Sequence, residues 1–452
     1  MSIGSKVLFM YFALTYGLQS VLSIAFTYLY SGDYKGYSEG LSWKIPMMFV
    51  VALAIFLGQA AIKGRKSAEV REKPTRKSIV VLVSFARTVA ALTFIGLSIP
   101  FALEYGFSFF HSGLYISDLP MWVIVLQAMK PLARLDLAYC TIKVMRGERL
   151  SNVDLIATSS YTIGGIISLV GAIDVVFLVL GFLLLIKRGQ VVMRAFTMPK
   201  KGQRSKKRWM AYLFLAASLP GVAVIGFANK IGFERTYDLI SDENSVREYF
   251  IYPLVLRVSS SHGSFIANAE LPLSVEEQAE IVSYPFNNML WRGCILFSDS
   301  CPNRGDITHI ARLNYIRTFW DQSPLKAGAT PGLLASALYI PFLPFAVFLL
   351  GFYCSLFTGA IDRALARRPV PFAGVLTLLL FAFPVFENPV DLIVIFDPAV
   401  VYTLGLLFVF RSFRNYRPSD LPSGSPKPTS HRAIRVDQRF NGNRQVGYNV
   451  GI

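Results

Sequence analysis

The sequence has few residues of the kinds that hold metals or nucleotides. Its 452 residues include only four histidines and four cysteines, and charged residues make up 16% of the chain. It contains no Walker loop, no His-Glu-x-x-His segment and no Cys-x-x-Cys pair, which are common signatures of nucleotide and metal sites. We therefore expect no metal, no cofactor and no ATP-driven transport by this chain alone.

Long uncharged segments are what the sequence has instead. A helix needs about 20 apolar residues to cross about 30 Å of hydrocarbon. Segments that contain or approach this length lie at 7–32, 45–62, 209–228 and 331–360. The first is far longer than the ~7–15 apolar residues of a cleaved signal peptide, so we expect it to remain as an anchor.

These segments predict an all-α polytopic membrane protein with about ten spans and one large periplasmic loop domain. The predicted spans lie at about 7–30, 45–62, 78–103, 119–142, 152–170, 173–187, 209–228, 331–354, 371–386 and 393–410. They divide the chain into N-terminal helices at 1–228, the outer loop at 229–330, C-terminal helices at 331–412 and a tail at 413–452. The tail is rich in Pro, Ser, Arg, Asn and Gly, a composition that predicts disorder.

The net charge of +17 is spread over alternate loops. Thirty-one of the 45 Lys and Arg residues fall in segments that this topology places in the cytoplasm, and nine fall in the large outer loop. This asymmetry is typical of the positive-inside rule and of contact with anionic membrane lipids. It predicts a bacterial inner-membrane protein with both termini in the cytoplasm, and no nucleic-acid partner.

The outer loop is too long to be a bare connection. Ser274 and Glu277 have the spacing of a helix capping box, and apolar residues at helical spacing predict a second helix over 307–319. Cys294 and Cys301 would lie in the oxidising periplasm, which favours a disulfide between them. The alternative is two free thiols.

Arginine dominates the positive charge of this loop, since only two of its nine basic residues are lysines. The planar guanidinium binds phosphate oxygens in pairs and stays charged, which suits a lipid diphosphate. The alternative is that these arginines solubilise the surface beside the loop's 12 acidic residues. The loop arginines are Arg235, Arg247, Arg257, Arg292, Arg304, Arg312 and Arg317.

Three further cations lie within apolar stretches, where charge is costly and usually faces a polar cavity. Arg87 lies about nine residues into its predicted helix, which favours a functional role. Lys130 and Arg134 fit either that role or a helix end whose side chains extend to the membrane surface.

Two histidines lie near loop arginines. His262 follows Arg257 by five residues, and His309 precedes Arg312 by three. An imidazole can take a proton from an attacking sugar hydroxyl, and the alternative is a structural role for each.

The segment AGATPGLL at 327–334, followed by Tyr339, Phe342 and Gly351, resembles the start of the helix after the large periplasmic loop in Wzy-type polymerases. These enzymes polymerise oligosaccharide repeat units of O-antigen and related polysaccharides. The segment YPLVLR at 252–257 is similar to the family's aromatic-leucine-arginine segment near the start of that loop. The resemblance covers about 209–360. It departs from the family at 171–174, where GAID replaces a small residue followed by arginine.

The resemblance implies transfer of a glycan from undecaprenyl diphosphate to a sugar hydroxyl of an incoming lipid-linked repeat unit. A chain-length regulator is an expected protein partner. Negative charge grows on the departing diphosphate, and each preorganised donor there is worth about 3–4 kcal/mol.

The expected roles form three sets. The catalytic set is Arg257, Arg312, Arg317, His262 and His309. The substrate-binding set is Arg87, Arg134, Arg292 and Thr330. Candidates for the base are Glu234, Glu270, Asp321, His262 and His309.

Three other functions compete with polymerisation. An O-antigen ligase would share this layout and hand the glycan to a lipid A core. A flippase or secondary transporter usually has inverted repeats and broken helices, and we find no repeat. A membrane scaffold without chemistry would leave the loop arginines unexplained.

Overall fold

The computed structural model describes the chain as a set of helices. The described residues are 1–27, 37, 39–64, 77–105, 120–168, 172–197, 237–238, 241, 252–270, 273–297, 310–319, 329–365, 370–390 and 398–413, and they contain no strand. The predicted span at 209–228 and the predicted tail beyond residue 413 lie outside them.

The N-terminal part of the described chain contains eight helices and one π-helical turn. Their bounds are α1 (Ile3–Phe12), the π-turn (Ala13–Gly17), α2 (Leu18–Ala25), α3 (Leu41–Gly64), α4 (Lys77–Tyr105), α5 (Met121–Met145), α6 (Asn152–Ser168), α7 (Ala172–Leu185) and α8 (Lys187–Thr197). α6 and α7 correspond to the predicted hairpin of spans at 152–170 and 173–187.

The predicted outer loop contributes three described helices, and four more follow it. The loop helices are α9 (Tyr252–Asn268), α10 (Val275–Phe297) and α11 (Ile310–Thr318). The later helices are α12 (Gly332–Tyr339), α13 (Leu343–Leu365), α14 (Phe372–Glu387) and α15 (Pro398–Ser412).

Several of these helices have the length and hydropathy needed to cross a membrane. Ile3–Ala25, Leu41–Ile62, Val83–Tyr105 and Leu343–Leu365 are long and apolar enough to cross one. The pair Val176–Leu185 and Lys187–Arg194, which is bent by 107°, counts as a fifth if its two helices form one span. Their outer faces are apolar, as Val50, Leu53 and Leu57 of α3 illustrate with exposures of 57–65%. Exposed apolar area on this scale indicates contact with lipid or with other apolar surfaces.

The predicted span at 331–354 is wrong as one continuous helix. The structure breaks it at residues 340–342, between α12 and α13. Pro341 lacks an N–H and disfavours the helical conformation at the residue before it. Ile340 is accordingly extended (φ −93°, ψ 124°), and Phe342 adopts a positive φ of 66°. The Thr-Pro segment therefore begins a short helix of eight residues.

The capping box predicted for the outer loop is confirmed. The Ser274 backbone N donates to Glu277 Oε2 at 2.8 Å, and the Glu277 backbone N donates to Ser274 Oγ at 3.1 Å. These two bonds satisfy backbone N–H groups at the start of α10 that have no partner within the helix.

The main hydrophobic core joins α9 to helices from both ends of the chain. Phe265 and Ile266 of α9 are fully buried in the same cluster as Leu8 of α1 and Leu333 of α12. α9 packs against the π-turn, α12 and α11. Polar residues of α9 are thereby buried among helices from both ends of the chain.

Candidate functional site

A buried carboxylate is the centre of the candidate site. Ser261 Oγ donates to both oxygens of Glu387 at 2.8 Å, Tyr11 Oη donates to Oε1 at 3.3 Å, and Thr330 Oγ1 donates to Oε2 at 3.5 Å. Glu387 is 9% exposed. Among the described residues no Lys or Arg pairs with it, so its donors are all neutral hydroxyls. We call these four residues the Glu387 cluster.

Four separate segments supply the Glu387 cluster. Tyr11 comes from α1, Ser261 from the middle of α9, Thr330 from the residues just before α12, and Glu387 is the last residue of α14. α14 ends there because Asn388 leaves the helical conformation and Pro389 cannot continue it. The carboxylate therefore sits where an apolar helix gives way to polar chain.

The π-turn explains how α1 contributes a second tyrosine. A π-turn closes hydrogen bonds over five residues, which brings residues five apart onto one face of the helix. Tyr11 and Tyr16 have this spacing, and their rings meet edge to face with centroids 5.9 Å apart. Tyr16 Oη accepts from the Leu334 backbone N at 3.1 Å and so ties the π-turn to α12.

A glycine allows α12 to approach the cluster closely. Gly332 begins α12 with φ +75°, a conformation that other residues rarely adopt. A Cβ at this position would lie 2.6 Å from Ser261 Oγ and 3.0 Å from Tyr16 Oη. A side chain here would displace the hydroxyl that holds Glu387.

The structure places His262 beside the cluster in a closed environment. Its Nε2 lies 3.2 Å from Ser20 Oγ and its Nδ1 lies 3.3 Å from Tyr37 Oη. The side chain is fully buried, in a helix that is not among the candidate membrane spans. Burial lowers the pKa of His262 from about 6.5 to about 3, so the ring is neutral near pH 7 and is a weak base.

Arg317 binds a carboxylate and an amide of the protein, whereas a phosphate ligand is expected to direct its guanidinium at the substrate. Its Nη1 bonds both oxygens of Glu277 at 2.7 and 2.8 Å, and its Nε donates to Asn268 Oδ1 at 2.7 Å. Tyr339 Oη donates to the same Asn268 oxygen at 3.0 Å. Arg317 thereby joins α11 to α9 and α10 and has a carboxylate partner.

Partial burial favours a higher pKa for Glu277, but hydrogen bonds from the Ser274 backbone and from Arg317 outweigh it and lower the pKa from 4.5. Arg312 lies in the same helix and is half-buried. Glu270, a candidate base, is paired with the fully buried Lys44 at 3.0 Å.

Two predicted arginines are located only by their backbone. Arg257 lies in the second turn of α9, four residues before Ser261 and therefore one helical turn from it. Arg292 lies in the second half of α10. His309, Glu234 and Asp321 lie outside the described residues.

Arg87 lies in a second buried cluster, away from the outer-loop helices. Its Nε bonds Asp136 Oδ1 at 2.5 Å and its Nη1 bonds Asp154 Oδ1 at 2.8 Å, while Lys143 Nζ bonds Asp154 Oδ2 at 2.7 Å. We call these four residues the Arg87 cluster. Its two cations balance its two carboxylates, and it links α4, α5 and α6.

Arg134 is also on α5, and its guanidinium lies 5.3 Å from the centre of the Phe177 ring. With Lys130 it lines a small cavity of about 30 Å³, which has room for about one water molecule. Among the contacts of the described residues, none joins Arg134 or Arg87 to Thr330 or to α9, α10 or α11.

The described cysteines include both free thiols and a disulfide-bonded residue. Cys140 and Cys354 are buried free thiols, and Cys294 is disulfide-bonded. Cys301 lies outside the described residues. Within the described ranges, no group of three or more His, Cys, Asp or Glu residues could hold a metal ion.

Sequence reasoning missed the acid at the centre of the site. Glu387 follows a 15-residue uncharged stretch, 372–386, and precedes Asn388 and Pro389, so it reads as an ordinary turn residue. Its signal was that a lone carboxylate ends an apolar helix. Ser261 and Tyr11 carried no signal, because their partners are distant in sequence. In the comparisons with known proteins, no family model, no curated protein and no solved structure matches this chain.

Proposed function

We propose that this chain is a glycosyltransferase that extends lipid-linked oligosaccharide at the outer face of a bacterial inner membrane, with Glu387 as its general base. It spans the membrane about ten times with both termini in the cytoplasm. Its substrates are undecaprenyl-diphosphate-linked repeat units. The observation that carries the proposal is the buried Glu387 carboxylate, which only neutral hydroxyls hold among the described residues.

The reaction needs a proton acceptor and a stabiliser of the leaving group. The acceptor sugar oxygen bonds to C1 of the donor glycan, and its proton passes to Glu387. The bond from C1 to the diphosphate oxygen breaks, and the diphosphate leaves with the electron pair. Glu387 suits the first task because a carboxylate without a cationic partner keeps its proton affinity.

The position of Thr330 supports access by a sugar hydroxyl. A carboxylate offers about four lone-pair sites, and four contacts from hydroxyls fill them. The contact from Thr330 is the longest, at 3.5 Å, and Thr330 is half-buried whereas Ser261 and Tyr11 are buried. A sugar hydroxyl would replace Thr330 at Oε2 and leave the other donors in place.

Arginine remains the expected stabiliser of the leaving diphosphate. Arg257 lies one turn before Ser261 in α9, which places it near the base along one helix. Arg317 is the weaker choice, because Glu277 and Asn268 already bind its guanidinium. Arg257 is therefore our first candidate for this role.

The test is Glu387→Gln in cells that lack the native chain, with surface polysaccharide resolved by gel. Loss of a general base costs about 10²–10⁴-fold in rate, so the polymer ladder should collapse to a single repeat unit. The matched control is Glu277→Gln, which neutralises a carboxylate that already has an arginine partner and should leave the ladder intact.

A normal ladder from Glu387→Gln, at native protein levels, would refute the role of Glu387. Deletion of the chain separates the rival functions. Loss of all attached glycan would indicate ligation, and accumulation of inward-facing lipid-linked units would indicate transport.

A further inference from the structure

The helix α8 turns sharply away from the membrane helix before it. The axes of Val176–Leu185 and Lys187–Arg194 differ by 107°. If α7 crosses the membrane, a bend of this size lays α8 close to the membrane plane. α7 has 14 residues and is about 21 Å long at 1.5 Å per residue. α8 therefore begins near the membrane depth at which the apolar residues of α7 end.

Specific contacts hold this bend. Gly189 lies so close to α7 that a Cβ would overlap the carbonyl of Leu183. The Gln190 side chain donates to the Leu184 carbonyl at 2.7 Å, and Arg194 donates to the Glu148 carbonyl at 2.8 Å. Met193 is buried in the main core. The orientation of α8 is thus built into the fold.

The opposite face of α8 combines two basic residues with two apolar ones. Lys187 and Arg188 are exposed in its first turn. Val191 and Val192, one turn later, are 63% and 38% exposed. On a helical wheel these four residues share one arc of about 140° at 100° per residue, and Gly189 and Met193 lie on the packed side.

This face has the composition of an interfacial helix. Such helices bury apolar side chains about 5–10 Å into the boundary between headgroups and acyl chains, with Lys and Arg beside anionic headgroups. The long stems of Lys187 and Arg188 can lie along apolar surface while their charges reach the phosphates. A second protein copy would have to cover both the charges and the valines, whereas an anionic lipid surface matches both.

We propose that α8 is a lipid-binding helix. Its Lys187 and Arg188 bind anionic phospholipid headgroups, and its Val191 and Val192 enter the adjacent acyl layer. The proposal concerns the surface of the bundle and does not depend on the reaction at Glu387.

The test places a spin label at Val191→Cys in the full chain, reconstituted into phosphatidylcholine vesicles or into equal parts phosphatidylcholine and phosphatidylglycerol. Collision rates with oxygen and with a water-soluble nickel chelate report the depth of the label. Labels at Val275→Cys, at an exposed polar helix start, and at Leu404→Cys, on an apolar helix, give the two reference values. The two free thiols within the described residues, Cys140 and Cys354, are buried.

We expect an oxygen-to-nickel ratio at Val191 several-fold above that at Val275, with a further increase in phosphatidylglycerol. Lys187→Gln with Arg188→Gln should remove that increase. The control is Lys6→Gln with Arg411→Gln, which removes two exposed charges elsewhere and should retain it.

Three results would each overturn the proposal. They are a Val191 ratio equal to that at Val275 in both membranes, a phosphatidylglycerol effect that survives loss of Lys187 and Arg188, and dipolar broadening that pairs Val191 labels between two copies.

Discussion

Two buried clusters of polar residues use their carboxylates in opposite ways. In the Arg87 cluster, Asp136 and Asp154 face Arg87 and Lys143, and the charges cancel. In the Glu387 cluster, one carboxylate faces three hydroxyls, and no described cation pairs with it. A buried charge is costly unless it is paired.

From this difference we infer a structural role for the Arg87 cluster and a chemical role for the Glu387 cluster. The Arg87 cluster satisfies its own charges and joins three helices, so it needs no substrate to be complete. The Glu387 cluster keeps a buried carboxylate with no described cation to offset its charge. Carboxyl groups in such surroundings are candidates for proton transfer. Intramembrane charge alone draws attention to the Arg87 cluster, whose charges are already paired within the protein.

The largest expected effect on stability is in the Arg87 cluster. Asp136→Asn should lower the free energy of unfolding by about 3–5 kcal/mol, because it removes a buried carboxylate and leaves the largely buried Arg87 guanidinium undercompensated. Denaturant unfolding in detergent measures this. The double variant Arg87→Met with Asp136→Leu removes both charges and should recover part of the loss. Native stability in Asp136→Asn would mean that the two clusters do not differ as described.

We expect acid to destabilise the fold beside the Glu387 cluster through protonation of His262. The unfolded chain takes up a proton near pH 6.5, but the folded ring does so only near pH 3. The contribution of His262 to the free energy of unfolding is therefore fully present above pH 6.5. It falls between pH 6.5 and pH 3 by about 1.4 kcal/mol for each pH unit. His262→Gln should flatten the unfolding free energy over this window. An equally steep acid dependence in that variant would exclude His262 as its source.

Ser261→Ala should have a smaller effect on folding. It removes the shortest hydrogen bonds to Glu387, and a bond to a charged group is worth about 1.5–3 kcal/mol. Melting temperature and ladder length should both decrease. Ser336→Ala is the matched control, since that buried hydroxyl bonds only a carbonyl of its own helix. Equal effects of the two serines would remove the special status of Ser261.

The smallest effect is expected where a pair is partly exposed. Glu277 is 23% exposed and bonds Arg317, and such pairs contribute up to about 1 kcal/mol. The lowered pKa of Glu277 adds stability above pH 4.5, and this is lost as the pH falls below its folded value. Melting curves of Glu277→Gln should differ from native ones near neutral pH and converge with them in strong acid.

The helices were predictable where long apolar segments determine them, as at α6, α7 and α14, and where local caps do so, as at Ser274 and Glu277. The break at Pro341 was missed because hydropathy continues unchanged through it. The sequence analysis did not pair Arg87 with Asp136 and Asp154, because 49 and 67 residues separate them in sequence. Ser261 and Glu387 are 126 residues apart, and no local pattern joins them.

The π-turn at Ala13–Gly17 places one more residue in the first helix than an α-helical turn would hold. In an uninterrupted α-helix, residues five apart lie about 140° from each other around the axis, so Tyr16 would face away from Tyr11. Deleting one residue from the π-turn would leave the two tyrosines four apart, a spacing that keeps them on one face of an ordinary α-helix. Shortening this turn by one residue should therefore preserve the link between the first helix and α12, whereas straightening it at full length should break that link.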